Sequence, residues 1–180
     1  GMTEMLKSIG IDVVLSGGQT MNPSTEDFVK AMESIPAERF ILLPNNKNII
    51  MAAEQAAEVI EKPAVVVPTR TVPEAISAIF AYNPEGTIED NYAAMSENIE
   101  MVSTGQITYA IRDTNLDGIE ILKDEFMGIV DGKIILSEPL VENALYNTLD
   151  NMINDESEIV TIFIGEGGKE DLVQQVIEQL

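Results

Sequence analysis

Histidine and cysteine are both absent from this chain of 180 residues. Without cysteine there is no disulfide, thiol nucleophile or thiolate zinc site, and without histidine there is no imidazole to act as an acid or base. No apolar run approaches the roughly 20 residues of a membrane helix, and the N-terminus lacks a signal-peptide pattern. Nothing in the composition requires an oxidising compartment, so we expect a cytoplasmic protein without membrane insertion.

Basic residues are also scarce. Lysine and arginine total 10 against 31 aspartates and glutamates, which gives a formal net charge of -21. Non-specific binding to nucleic acid or to anionic membranes depends on cationic side chains, so this composition argues against both. A basic protein partner or simple solubility fits the charge better. The hydrophobic fraction of 45% is high enough for a folded core rather than a disordered chain.

The first half of the sequence predicts three strand–helix units in one parallel α/β lobe, residues 1–83. The apolar, β-branched stretches 11–15, 40–43 and 64–67 suit strands that are buried on both faces. Each is followed by a polar loop and a helical pattern, and connections of this kind form a parallel sheet flanked by helices. Ser24, with Asp27 three residues later, has the spacing of a helix N-cap.

The second half, residues 84–180, predicts an α+β lobe. A long helix begins after Thr87 and carries an apolar stripe, which predicts packing against a core, with a groove for a partner helix as the other interpretation. Its members are Ile88, Tyr92, Met95, Ile99 and Val102. From residue 105 the alternation changes to period two, and Asp131-Gly132 indicates a hairpin turn in an antiparallel meander. A further helix, a last strand at 159–164 and a final helix from 171 complete the pattern.

Polar loops follow the predicted strands and form the candidate binding site. Carboxyl ends of parallel strands share one edge of a sheet, where helix N-termini also offer free N–H groups and attract anions. Three interpretations stay open: helix caps and turns, a site for a small anion or acidic peptide, and a surface for protein docking. The candidate residues are Gly17, Gly18, Gln19, Thr20, Asn45, Asn46, Lys47, Asn48, Arg70, Arg112 and Asp113.

Catalytic, nucleotide and metal patterns are not apparent. Gly17-Gly18 lacks the third glycine of a dinucleotide loop, and residues 165–168 lack the Gly-Lys-Ser/Thr ending of a P-loop. The acidic clusters do not have the spacing of a calcium loop, so we interpret them as solvated surface. Ser16 and Thr20 have no histidine partner. We therefore predict no catalytic residues, no metal and no cofactor in this chain.

Four motifs occur in order along the chain, and together they resemble one protein family. They are GGQTMNPSTED at 17–27, LPNNKNIIMAA at 43–53, PTRTVP at 68–73 and TYAIRDT at 108–114. This set resembles the C-terminal domain of the bacterial fatty acid kinase A subunit, also called the dihydroxyacetone-kinase-like or YloV-like family. The likeness extends over nearly the whole chain, and it is much more specific than any single glycine loop.

The resemblance implies a larger parent protein, for which a homodimer is one possible state. An N-terminal kinase domain, absent here, would use ATP and magnesium to phosphorylate a fatty acid presented by a separate DegV-like carrier, for phospholipid synthesis. The present domain would be noncatalytic and would dock that carrier. It would also share the two-lobed architecture of DegV-like proteins, with a site between the lobes. Members usually continue past Leu180 into a β-rich tail, and Gly1 before Met2 is typical of an excised domain.

The residues also leave a second function open, a small-anion or lipid-binding module that uses the polar turns at the strand ends. A stand-alone enzyme is the third hypothesis, and it is the weakest because no nucleophile, base or metal cluster emerges from the sequence.

Overall fold

The chain has a mixed α/β fold, as expected, with a parallel sheet and antiparallel sheets in its described part. A computed structural model describes residues 1–17 and 22–180. The chain divides into two units, residues 1–102 and residues 103–180. Each unit has its own sheet and its own helices.

The first unit contains a two-stranded parallel sheet with helices on both faces. In chain order its elements are α1 (Met2–Ser8), α2 (Thr25–Glu33), β1 (Phe40–Leu42), α3 (Ile50–Val59), β2 (Ala64–Val66), α4 (Val72–Phe80) and α5 (Ile88–Glu100). Alternate strand residues point to opposite faces, so Phe40 and Leu42 pack with α2 and α3, while Ile41 packs with α4 and α5.

Side-chain caps start three of these helices. The Ser24 hydroxyl accepts the N–H of Asp27 at 3.2 Å, and the Asp27 carboxylate accepts the Ser24 N–H at 2.8 Å. Thr71 caps α4, and Thr87 caps α5 in the same way. Each cap satisfies a backbone donor that the helix itself leaves without a partner.

The second unit is built on a three-stranded antiparallel sheet with a helix packed against it. In chain order the elements are β3 (Gly105–Tyr109), β4 (Thr114–Leu116), β5 (Ile119–Ile121), β6 (Phe126–Val130), β7 (Lys133–Glu138), α6 (Val141–Met152) and α7 (Glu170–Ile177). The sheet has the order β3-β6-β7, and α6 is the helix that packs on it. The predicted hairpin turn joins β6 to β7, and both Asp131 (φ 48°) and Gly132 (φ 82°) have left-handed backbone.

Two predicted strands do not form. Residues 11–15 and 159–164 have no regular secondary structure and pair with no strand in the described ranges, so the parallel sheet has two strands there instead of three. Leu15 still packs against the core around Phe40, whereas Ile159 is 86% exposed. A β-branched sequence favours a strand only where a neighbouring strand pairs with its backbone and packs on its side chains.

Helix α5 belongs to the first unit, although the sequence placed the lobe boundary before it, at residue 83. Met95 packs with Val67 and Ala78, and the Asn98 side chain donates to the carbonyl oxygen of Ser77 at 2.7 Å. The apolar stripe of α5 also differs from the prediction at one residue, because Tyr92 is 42% exposed. The unit boundary therefore follows the packing of α5 on α4.

Candidate functional site

The loops that follow β1 and β2 are joined by Asn45 and Thr69. The buried Thr69 hydroxyl donates to Asn45 Oδ1 at 2.8 Å and accepts the N–H of Asn45 at 3.0 Å. Asn45 has φ 60°, a left-handed conformation that asparagine tolerates better than most residues. The hydroxyl thus holds the start of the Asn45 loop in a geometry that few side chains would permit.

The rest of that loop leads into α3, which begins at Ile50. Asn46 Oδ1 accepts the N–H of Asn48 at 2.9 Å, which closes a short turn. Helix α3 has no side-chain cap among the described residues. The Lys47 side chain is exposed, and it forms no ion pair with any residue that the structure describes. Uncapped N–H groups beside a lysine are a surface that attracts negative charge.

The loop after β2 is already occupied by acidic and polar groups of its own chain. The Arg70 N–H donates to Glu74 Oε2 at 2.6 Å, and the Thr71 hydroxyl accepts the N–H of Glu74 at 3.3 Å. A carboxylate at the start of α4 neutralises the helix dipole there and repels an incoming anion. The exposed Arg70 guanidinium is therefore the cationic group that this loop offers.

The glycine turn is described only at its first residue. Gly17 lines a cavity of about 490 Å³. Other residues that line this cavity include Leu15, Asn22, Pro23 and Lys30. Gly18, Gln19 and Thr20 lie outside the described residues, so the expectation that they join the site stays a prediction.

At the edge of this cavity the backbone and hydroxyl of Ser24 donate to Asp27, which lowers the pKa of that carboxyl. The pKa of Lys30 is raised by its hydrogen bond to Glu26, at 2.6 Å. Both shifts favour the charged forms of these residues.

Arg112 and Asp113 belong to the second unit and are described with it. Arg112 is exposed, and Asp113 Oδ1 accepts the N–H of Lys123 at 2.7 Å. This hydrogen bond links the segment between β3 and β4 to the segment between β5 and β6. The expectation that these residues share one rim with the loops of the first unit stays a prediction.

Two polar residues that organise the first unit were missed by sequence reasoning. Asn91 is 2% exposed, accepts the N–H of Asn83 at 2.7 Å and donates to the carbonyl oxygens of Asn83 and Thr87 at 2.8 and 2.9 Å. Arg39 donates to the carbonyl oxygen of Gly86 at 2.8 Å. The signal for Asn91 was its spacing, three residues after Ile88, which places it on the buried helix face.

The described residues form no group of three potential metal ligands. In the same ranges, no helix has both the length and the apolar character needed to cross a bilayer. The polar loops provide hydrogen-bonding groups and a few exposed cationic side chains.

Comparison with known proteins agrees with the motifs. The family model for the C-terminal region of proteins like the fatty acid kinase A subunit (FakA-like) matches residues 1–180. "Uncharacterized protein SERP0792" of Staphylococcus epidermidis is 48% identical over 99% of this chain and 32% of its own length. "Uncharacterized protein SAR1202" of Staphylococcus aureus is 46% identical over 98% of this chain, again 32% of its own length. The chain spans about a third of these relatives, and it belongs to the family of FakA-like C-terminal domains.

Proposed function

We propose that this chain is a noncatalytic docking domain of a fatty-acid-kinase-like protein. It holds a DegV-like fatty-acid carrier while a kinase domain elsewhere in the parent protein transfers phosphate from ATP and magnesium to the carried fatty acid, in the cytoplasm. The observation that carries the proposal is the family match over the whole chain, together with the 32% share of its relatives that the chain spans. The remaining length of those relatives has room for a kinase domain.

Two exposed apolar side chains of the first unit support a docking role. Phe80, the last residue of α4, is 77% exposed, and Met101, which follows α5, is 74% exposed. Aromatic residues and methionine are enriched in the cores of protein–protein interfaces relative to other surface. Lysine and aspartate, in contrast, are depleted there. These two side chains are the anchors that we assign to the carrier.

The test is calorimetric titration of this chain with a fatty-acid-loaded carrier at low salt. We expect association, and we expect Phe80→Ser/Met101→Ser to weaken it at least about tenfold, as for interface anchors. Met51→Ser/Val59→Ser is the matched control, because it removes a comparable amount of exposed apolar surface from α3. No association by the unmodified chain would contradict the docking role. Equal weakening by both pairs would contradict the assignment of the anchors.

A second candidate function, a small-anion or lipid-binding module, is supported by the uncapped start of α3 beside Lys47. Its probe is inorganic phosphate, followed by amide chemical shifts, and we expect the shifts to be largest at Ile50 and Met51, the first residues of α3. Lys47→Ala/Arg70→Ala should weaken binding, whereas Lys7→Ala/Lys133→Ala, which removes the same charge elsewhere, should not. Unchanged affinity in the first pair would reject this function.

A further inference from the structure

The second strand of the parallel sheet has one edge that no described strand covers. The Phe40 N–H donates to the carbonyl oxygen of Pro63 at 2.9 Å, and the Val67 N–H donates to the carbonyl oxygen of Leu42 at 3.0 Å. Because alternate residues of a strand direct their backbone groups to the same side, Pro63, Val65 and Val67 face β1. The N–H and C=O groups of Ala64 and Val66 therefore face away from β1.

A groove of about 360 Å³ runs along this edge. Its floor is β2, its sides are Ala57 of α3 and the partly exposed Tyr92 of α5, and all of these residues belong to the first unit. The groove is open to solvent, and the free strand edge lies between Ala57 on one side and Tyr92 on the other. Strand addition of this kind uses main-chain hydrogen bonds for affinity and flanking pockets for selectivity.

Acidic side chains line the groove, and they favour a positively charged ligand. Glu54 and Glu58 also line it, both are exposed, and neither forms an ion pair with any described residue. They lie four residues apart on α3, a spacing at which like charges repel each other. A cationic segment would relieve this repulsion, whereas an acidic one would add to it.

We propose that the outer edge of β2 binds an extended, basic protein segment as an added strand. The main chain of this segment pairs with Ala64 and Val66, and its lysine or arginine side chains reach Glu54 and Glu58. Its small apolar side chains lie against Ala57 and Tyr92. This site is independent of the proposed carrier docking, because it uses neither Phe80 nor Met101.

The alternative is that Glu54 and Glu58 only protect the edge. Native proteins keep exposed sheet edges from pairing by making them short and by placing charges beside them. Strand β2 is three residues long and has two carboxylates beside it, so both roles predict the same residues. Binding of a basic strand separates them.

The experiment uses this chain and three fluorescent peptides of alternating valine and lysine, with anisotropy measured at low salt. One peptide is unmodified, the second is N-methylated at every valine, and the third at every lysine. In a strand all valine N–H groups face one side and all lysine N–H groups the other. We expect one methylated peptide to bind at least about tenfold more weakly than the unmodified one, while the other keeps its affinity.

Variants locate the site on the protein. Glu54→Gln/Glu58→Gln should weaken binding of the unmodified peptide at least about tenfold. Glu97→Gln/Glu100→Gln, two exposed glutamates of α5 that do not line the groove, should leave it within about twofold. Equal binding of all three peptides would show charge attraction alone, and absence of binding would show edge protection. Either result would overturn the proposal.

Discussion

Thr69 and Asn45, 24 residues apart in the chain, form a reciprocal pair in which one hydroxyl both donates to the Asn45 side chain and accepts from the Asn45 backbone. The pair joins the carboxyl ends of β1 and β2. It also holds Asn45 in left-handed backbone, directly before the loop that contains Lys47. The candidate site therefore depends on a buried threonine hydroxyl.

Replacing this hydroxyl tests its contribution. Thr69→Val keeps the side-chain shape but leaves the Asn45 N–H and Oδ1 without their partner, so the free energy of unfolding should fall by about 1–3 kcal/mol. Thr69→Ser, which keeps the hydroxyl, should lose less. Urea unfolding of both variants provides the comparison. Equal losses would mean that the methyl packing, and not the hydrogen bonds, makes the contribution.

Gly128 in β6 allows α6 to approach the sheet closely. A Cβ at this position would overlap with Thr148 Oγ1 and would lie 2.8 Å from Leu136 Cδ1. Gly128→Ala should therefore lower the free energy of unfolding, measured in urea, by about 1–3 kcal/mol through overpacking. The same change at Gly165 is the control and should cost much less, because a Cβ there would have no atom within 4 Å beyond its chain neighbours.

The double variant Gly128→Ala/Thr148→Ala examines the cause. Removing Thr148 Oγ1, a buried hydroxyl without a hydrogen-bond partner among the described residues, takes away the closest obstacle. Part of the stability lost in Gly128→Ala should return in the double variant. If the two losses simply add, the contact with Thr148 does not explain the requirement for glycine.

Asn91 satisfies three backbone groups of the segment between α4 and α5. Asn91→Ala should lower the free energy of unfolding by about 2–4 kcal/mol, because buried donors and acceptors in this loop lose their partner and a cavity is left. Asn143→Ala, the same change at an exposed helical position in α6, is the control and should cost little. Thermal or urea unfolding measures both, and hydrogen exchange of the Asn83 N–H should accelerate only in Asn91→Ala.

Acid should weaken the start of α2. Hydrogen bonds from Ser24 lower the pKa of Asp27 below its ordinary 3.8, so the folded state favours the carboxylate. The stability that this provides is present above pH 3.8 and is lost as the pH falls through the lower, folded pKa. The difference in unfolding free energy between the parent chain and Asp27→Asn should therefore be constant near neutral pH and shrink in acid. A carboxyl titration of Asp27 by NMR with a midpoint at or above 3.8 would contradict this.

Local sequence signals predicted the helix starts and the hairpin turn well. The caps at Ser24, Thr71 and Thr87 involve partners three residues away, so the sequence contains both halves of each interaction. The Asp131-Gly132 turn is equally local, because both residues must adopt left-handed backbone. The loops at Asn45 and Arg70 could be located for the same reason, from the strand ends that precede them.

Strand formation was less predictable, because it depends on a neighbour. Residues 11–15 and 159–164 have strand-forming composition, but no described strand pairs with them. The burial of Asn91 in place of Tyr92 likewise depends on which face of α5 meets α4. Propensity alone does not decide such cases.

The sequence by itself determined the fold class, the family, the acidic surface and the positions where helices begin, because each of these depends on composition or on residues a few positions apart. The tertiary structure decided which loops meet, which strands pair and which edge of β2 stays accessible. Those outcomes depend on contacts between residues far apart in the chain, such as Asn45 with Thr69 and Asn98 with Ser77. Their free energy is set by burial and mutual geometry, which a linear pattern does not contain.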